Sequence, residues 1–409
     1  MNLRSRLVSP LFPLALAATL HAQSAAPAAP AAPAAPQATT LSAARAKGLA
    51  WLLQQQQDGV FVVKMGGREM RDPGLSAFGL MALQTKPKEL RTADEQKVVD
   101  QGIAWLLTQQ NEDGTFGQRQ PNYVTCVAIG ALTRAGNPAH EPVLKKAQRS
   151  ILVFQHLESS GYSPSDPDYG SIGYDSKSRG DLSNLHFSLE ALRATGLPQD
   201  HEALQKALVF LQRTQNLKSV NDHRAKTDGS VEGGEKGPPV EAVAGDDGGA
   251  VYFPGNSPAG YLKNPDGTVV PRSYGSMTYA LLKAYTLAGV KKDDPRVQAA
   301  VRWIGEHWDL TGNPGNYDPK DEKAKFHGQF YGYVLLAQAL DAAGLDEVAT
   351  KDKDGKTVMV AWRPALKQQL ESMQQADGSW VNTGSDRFFE NVPLLCTSYA
   401  LVALELCRN

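Results

Sequence analysis

The stretch QQADGSW, residues 374–380, is the clearest copy of a short pattern that recurs along this chain. Related copies are QQQQDGVF at 54–61 and QQNEDGTF at 109–116. In each copy, glutamines at the end of a helical segment are followed by a turn that contains glycine and then by an aromatic residue. A pattern that recurs in this way is the signature of an architecture built from similar units.

The chain between residues 41 and 409 divides into six such units. Each has a first helix rich in Leu, Ala, Trp and Gln, a glycine turn, and a second helix of small and aromatic residues. The first helices carry one apolar stripe and the second helices are apolar nearly all round, so we expect an outer and an inner layer. The predicted turn aromatics are Phe61, Phe116, Tyr174, Tyr252, Tyr317 and Trp380.

This pattern predicts an all-α fold, an (α/α)6 toroid of six helical hairpins with short β-hairpin insertions. The insertions are YLKNPDGTVV at 261–270 and EVATKDKDGKTVMVAW at 347–362, because Asp-Gly between β-formers favours a tight turn. One glutamine amide and one ring per unit would dock that unit onto the next by hydrogen bonding and stacking.

The N-terminus is predicted to be an export signal followed by a spacer. Residues 1–22 combine Arg4 and Arg6 with a short apolar run and a small residue before a cleavage point, which is typical of a signal peptide. Residues 23–40 are an Ala/Pro-rich linker that offers nothing to bury. We therefore expect a protein that is periplasmic or secreted and has no transmembrane segment.

The net charge argues against a nucleic-acid partner, and the cysteines argue against a disulfide-stabilised fold. Lys and Arg total 42 against 43 Asp and Glu, so a formal net charge of -1 gives no electrostatic footprint for nucleic acid. The cysteines lie in apolar helical segments, where buried thiols are expected rather than a disulfide scaffold. They are Cys126, Cys396 and Cys407.

At these repeats the chain resembles the squalene-cyclase and protein-prenyltransferase superfamily, whose "QW" repeats read Gln, a few residues, Gly, one residue, Trp. QQADGSW matches that form, and the two copies nearer the N-terminus match with Phe in place of Trp. The chain is also similar to secreted bacterial proteins that bear these repeats. The resemblance spans roughly residues 42–409 and implies a ring whose central cavity holds an isoprenoid chain.

The resemblance also implies two kinds of chemistry, and each is matched only in part. Squalene-type cyclases protonate an alkene with an acid from an Asp-x-Asp-Asp motif, and the nearest counterpart, DLSN at 181–184, keeps only the first aspartate. Protein prenyltransferases hold a zinc ion with Asp, Cys and His, and the corresponding residues here are His327, Gln329 and Cys396. We therefore expect no metal and no cofactor, and whether the protein is an enzyme stays open.

Polar and aromatic residues near the N-terminal ends of the inner helices would surround one mouth of the ring. Helix capping is the alternative role for Asp181 and Asn184, and Glu390 could instead complement a helix dipole. A hydrogen-bonded core position is the alternative for His186. The candidate catalytic residues are His327, Asp181 and Glu390, and the candidate ligand-binding residues are Asn184, His186, Tyr274, Phe330, Tyr331, Tyr399 and Asn391.

Three functions are compatible with these features. Aromatic rings on the late inner helices suit an isoprenoid, a carbocation or a sugar, although they could also simply fill a plugged barrel. The first hypothesis is an exported protein whose central cavity binds an apolar, isoprenoid-like molecule, with or without transforming it. The alternatives are a carbohydrate-active toroid, either a lyase or a hydrolase, and a noncatalytic scaffold for an unknown protein partner. The Gly/Pro-rich segment 216–272 is predicted to form a lid over the mouth.

Overall fold

The computed structural model describes residues 41–65, 67–229, 238–318 and 320–408. The predicted signal peptide, 1–22, and the predicted linker, 23–40, lie outside the described residues. The helices are α1 (Ala43–Leu53), α2 (Pro73–Leu83), α3 (Ala93–Leu107), α4 (Pro121–Arg134), α5 (Glu141–Val153), α6 (Leu182–Ala194), α7 (Glu202–Thr214), α8 (Gly275–Leu287), α9 (Pro295–Glu306), α10 (Gln329–Ala342), α11 (Trp362–Met373) and α12 (Pro393–Leu406).

The helices alternate between two kinds of burial, as the sequence pattern predicts. Helix α5 buries four of its 13 residues, all on one stripe, because charged residues occupy its other faces. Helix α12 buries 11 of its 14 residues, from Leu394 to Leu404. The odd-numbered helices are therefore an outer layer around the even-numbered ones.

The even-numbered helices form a closed circle. Each packs against the next, in the order α2, α4, α6, α8, α10 and α12, and α12 packs back against α2. Several begin with a proline, which suits a first helical position that needs no hydrogen-bond donor. The fold is thus a helical toroid with the most apolar helices inside.

A recurring glutamine joins each of four outer helices to the next one. Gln155 follows α5, and its Nε2 donates to the carbonyl of Gly170 at 3.1 Å and to that of Ala203 in α7 at 2.8 Å. The same two bonds run from Gln110 to Gly114 and Val143, from Gln215 to Gly248 and Arg296, and from Gln374 to Gly378 and Ala44. Because Ala44 lies in α1, the Gln374 bond closes the circle between the last unit and the first.

The turn glycines let the backbone of each turn approach the backbone of the next outer helix closely. Gly170 has a φ of +83°, and a Cβ there would lie 2.2 Å from the carbonyl oxygen of Lys206 in α7. Gly378 has a φ of +97°, and its Cβ would lie 2.8 Å from the carbonyl oxygen of Lys47 in α1. A side chain at either position would push the next outer helix away, so glycine is required for docking.

The predicted turn aromatics are correct at three positions and wrong at three. Phe61, Phe116 and Trp380 are fully buried, and the Trp380 indole donates to Leu370 O at 2.7 Å. In the third and fourth units, however, the residue paired with the glutamine is aliphatic, Ile172 opposite Gln155 and Ala250 opposite Gln215. Tyr174 and Tyr252 lie two residues further on and are partly exposed, and the ring of Tyr317 is 57% exposed.

Both predicted β-hairpins are present, and the structure adds strands that the sequence did not indicate. The strands pair as β1-β2-β3, as β4-β5-β7-β6 and as β8-β9, with β6-β7 and β8-β9 forming the predicted antiparallel hairpins. Their bounds are β1 (Gln56–Gln57), β2 (Val60–Met65), β3 (Arg68–Arg71), β4 (Ala225–Lys226), β5 (Glu241–Ala242), β6 (Tyr261–Lys263), β7 (Val269–Pro271), β8 (Glu347–Lys351) and β9 (Thr357–Ala361).

The long segment 216–272 is tied together at its base by one buried amide. The side chain of Asn216 donates to Pro271 O and Ser273 Oγ, both at 2.8 Å, and accepts from Gly245 N at 2.9 Å. The two ends of the segment are therefore fixed beside the start of α8. Its role as a lid stays a prediction.

Within the described ranges, no helix has the length and apolar character needed to cross a membrane.

Candidate functional site

Five rings from five inner helices meet inside the toroid, and we call them the aromatic cluster. Phe187 of α6 lies 6.2 Å from Tyr331 of α10 between ring centroids, a contact that passes over the intervening helix α8. Tyr331 lies 6.2 Å from Tyr399, and Tyr123 lies 4.9 Å from Phe187. Phe78 of α2 completes the set at 5.1 Å from Tyr399. Such contacts across the circle place the cluster on its inside.

The hydroxyl groups of the cluster bond to each other and to α6. The hydroxyls of Tyr123 and Tyr399 are 3.1 Å apart, and that of Tyr331 lies 2.9 Å from Ser183 Oγ and 2.7 Å from His186 Nε2. Burial raises the pKa of these tyrosines, so they stay protonated and can donate hydrogen bonds. Tyr123, Tyr331 and Ser183 are partly exposed, so solvent reaches one face of the cluster.

Asp181 is a buried acid that precedes the first turn of α6. It caps the helix, accepting from the backbone N–H of Asn184 and from the Asn184 side chain, both at 2.8 Å. Only 2% of Asp181 is exposed, and this burial raises the pKa of its carboxyl to about 6 despite hydrogen bonds from Asn184 and Tyr252. The capping role is present, and the carboxyl also holds a proton at a higher pH than an ordinary aspartate.

His186 is neutral and fully buried. Burial, and secondly the charge of Lys283, holds the pKa of its imidazole well below the usual range. Its Nε2 faces Tyr331, while Nδ1 has no hydrogen-bond partner among the described residues. Lys283 is itself bonded to Glu190 and Gln338, both at 2.7 Å. His186 therefore supports Tyr331 from within the core.

Glu390 caps the start of α10 from a neighbouring loop. Its Oε1 accepts from the backbone N–H of Tyr331 at 2.8 Å, and its Oε2 accepts from Asn382 Nδ2 at 2.6 Å. The residue is fully buried, and this raises the pKa of its carboxyl to about 7. Because Gly328 precedes α10 and has no side chain to cap it, Glu390 takes that role.

The remaining candidates lie in different surroundings. His327 is 7% exposed, and its Nε2 lies 3.2 Å from Asp321 Oδ2 in the loop before α10. Phe330 is fully buried with its edge against the ring of Tyr333, and Asn391 is exposed. Tyr274 lies at the start of α8, where burial, and secondly the charge of Asp181, raises the pKa of its hydroxyl.

The structure thus gathers about half of the predicted site. Asp181 and Asn184 are bonded to each other, and His186, Tyr331 and Tyr399 belong to one network of contacts. Sequence reasoning missed Phe78, Phe187 and Ser183. The signal available for the last two was helical spacing, since residues 183 and 187 share the stripe of α6 that carries this network.

No group of three His, Cys, Asp or Glu side chains within the described ranges is placed to hold a metal ion. The Cys396 thiol donates to Glu390 O at 3.0 Å, while His327 faces Asp321.

Comparisons with known proteins agree with this architecture. A family model described as the squalene-hopene cyclase C-terminal domain matches residues 80–231, which is less than half of the chain. No curated protein matches the chain in sequence. The chain resembles the squalene cyclase-like superfamily.

Solved structures share the helical toroid at low sequence identity. Type II terpene cyclase MstE from Scytonema, without ligand, has a TM-score of 0.51 and 14% identity over 89% of this chain and 97% of that chain. A variant of the same cyclase in complex with merosterolic acid A, its product, has a TM-score of 0.50 and 14% identity, with coverages of 89% and 95%.

A protein of a different activity has the same fold. The GH76A alpha-1,6-mannanase from Salegentibacter sp. HEL1_6 has a TM-score of 0.53 and 10% identity, covering 89% of this chain and 99% of that chain. At such identities the likeness concerns the fold alone, so the function must be argued from the site.

Proposed function

We propose that this protein is an exported (α/α)6 toroid of six helical hairpins that binds an apolar, isoprenoid-like molecule at the mouth of the ring. The observation that carries the proposal is the aromatic cluster, whose partly exposed face is formed by Tyr123 and Tyr331. Flat rings with hydroxyls at their edges give an apolar chain a broad surface and orient a polar end. The terpene cyclases among the structures of similar fold support this ligand class.

The rings of the cluster are packed together. Its rings contact one another across the circle, as expected if they filled a plugged barrel. We therefore place the ligand against the mouth face of the cluster, with one edge near Ser183 and Tyr331.

Asp181 is the proposed acid if the bound ligand carries an alkene. A buried carboxyl with a pKa near 6 keeps its proton in mildly acidic conditions and can transfer it to an alkene carbon, leaving a carbocation on the ligand and a carboxylate on the protein. Tyrosine faces stabilise such a cation through cation–π attraction. In this proposal Glu390 and His327 hold the start of α10 and the loop before it, and thereby position Tyr331.

The carbohydrate alternative receives less support from the site. Glycosidases commonly need two carboxyl groups that flank one bond. Here Asp181 caps α6 and Glu390 caps α10, so the two carboxyl groups belong to the starts of different helices and nothing pairs them across one bond. The mannanase shares the fold, and for that reason the experiment below also includes a sugar as a probe.

Native mass spectrometry of the mature protein separates these functions. We expect a one-to-one complex with geranylgeraniol and no complex with an α-1,6-linked mannotriose, because binding at a ring surface removes more apolar area of a prenyl chain from water than of a hydroxylated sugar. The opposite preference would contradict the proposal in favour of a carbohydrate-active toroid. Binding of neither probe would favour the noncatalytic scaffold.

A further inference from the structure

Two consecutive phenylalanines project into solvent from the loop before α12. Phe388 is 63% exposed and Phe389 is 55% exposed. Both have a left-handed backbone, with φ of +58° and +62°. This backbone region is uncommon for residues other than glycine and is strained for bulky side chains. Both phenylalanines are therefore held in a strained conformation with their apolar rings exposed to water.

The loop is firmly anchored on both sides of these residues. Val392 N donates to Phe389 O at 2.9 Å, and Asn382 N donates to Glu390 O at 2.9 Å. The Glu390 carboxylate then ties the loop to the first turn of α10 through Tyr331 N. The exposed rings are therefore held in a fixed position beside α10.

That position lies beside the aromatic cluster. A side-chain carbon built on Gly328 would lie 3.7 Å from Cδ2 of Phe388 and 3.9 Å from Cδ1 of Tyr331. The two rings thus flank the same point at the start of α10. Tyr331 is the partly exposed member of the cluster on that side, so the cluster and Phe388 come near each other at Gly328.

We propose that Phe388 and Phe389 form an outer aromatic subsite that takes the distal part of an apolar chain whose other end lies against Tyr331. This inference rests on the proposed function. Two neighbouring rings are far smaller than the area of about 1,000 Å² that a specific protein interface needs, so they fit an extended small molecule better than a protein. The position of Phe388 beside Gly328, next to Tyr331 of the cluster, selects the apolar chain as occupant.

The test uses substitutions that should preserve the fold. Phe388→Asn combined with Phe389→Asn replaces the rings by a residue that adopts the left-handed conformation readily, so Tm is expected to stay equal or to rise. Affinity for geranylgeraniol, measured by native mass spectrometry titration, is expected to fall at least about tenfold because the apolar contact is lost. Val153→Ser, at a residue of α5 that is 70% exposed, is the matched control and should bind as the wild type does.

The outcomes separate the subsite from the proposed function. Unchanged affinity in the double variant, with a wild type that binds geranylgeraniol, would overturn the subsite and leave the mouth site standing. A wild type that does not bind the probe would overturn both. An equal loss of affinity in Val153→Ser would also overturn the subsite, since the effect would then follow from surface polarity anywhere on the protein.

Discussion

Replacing Gly170 with alanine is expected to lower the free energy of unfolding by about 2 to 4 kcal/mol. The residue has a φ of +83°, which costs an alanine about 1 kcal/mol, and the new Cβ would lie 2.2 Å from Lys206 O. Relief of that overlap requires α7 to move away from the turn, which breaks the bond from Gln155 to Ala203. Urea denaturation of the two proteins measures the difference.

Gly161→Ala is the control for the conformational part of this effect. Gly161 also has a left-handed backbone, with a φ of +90°, but a Cβ there would meet no atom within 4 Å. Its substitution should cost only about 1 kcal/mol. Equal losses in the two variants would show that close contact between the turn and the next outer helix does not stabilise the ring.

Replacing Asp181 with asparagine is expected to stabilise the protein at pH 8 by about 2 kcal/mol and to change its stability little at pH 4. The pKa of this carboxyl is raised to about 6 by burial, above its value in the unfolded chain. The folded state therefore binds the proton more tightly, so its stability is highest at low pH and falls as the pH rises through 6. An asparagine carries no charge to bury and still caps a helix well.

Thermal unfolding at pH 8 and at pH 4 measures this pH dependence. Asp72→Asn is the matched control, because Asp72 caps α2 through a bond from Leu75 N of 2.9 Å but is partly exposed. The control should change little at either pH. A lower Tm for Asp181→Asn at pH 8 would mean that the ionised carboxylate stabilises the fold, and Asp181 would then be a structural cap rather than a proposed acid.

The sequence predicts the turn residue of a repeat correctly where glutamine and glycine lie close together in the chain. It predicts the wrong residue where an insertion separates them. The glutamine and glycine are four residues apart in the pairs Gln110–Gly114 and Gln374–Gly378. They are 15 residues apart at Gln155 and 33 at Gln215, so nothing local shows which later residue docks. The sequence pattern therefore indicates the nearest tyrosines, Tyr174 and Tyr252, whereas Ile172 and Ala250 are the residues that pair with the glutamines.

The site was predictable for polar residues at helix starts and less so for apolar ones. Asp181 stands out because it is the counterpart of the first aspartate of the Asp-x-Asp-Asp motif and precedes an apolar helix. Phe78 and Phe187 look like ordinary core residues, since only the closure of the circle shows that they meet the tyrosines. The bond from Glu390 to α10 spans 59 residues and depends on tertiary structure alone.

Photo-crosslinking is the measurement that tests the central claim most directly. The mature protein would be irradiated with a geranylgeranyl analogue that carries a diazirine near its alcohol end, and the labelled peptides would be mapped by mass spectrometry. The account predicts labels in the peptides that contain Tyr123 of α4 and Tyr331 of α10, lost on competition with geranylgeraniol. Labels confined to outer helices such as α5 and α7 would contradict it, because the apolar ligand would then bind outside the ring.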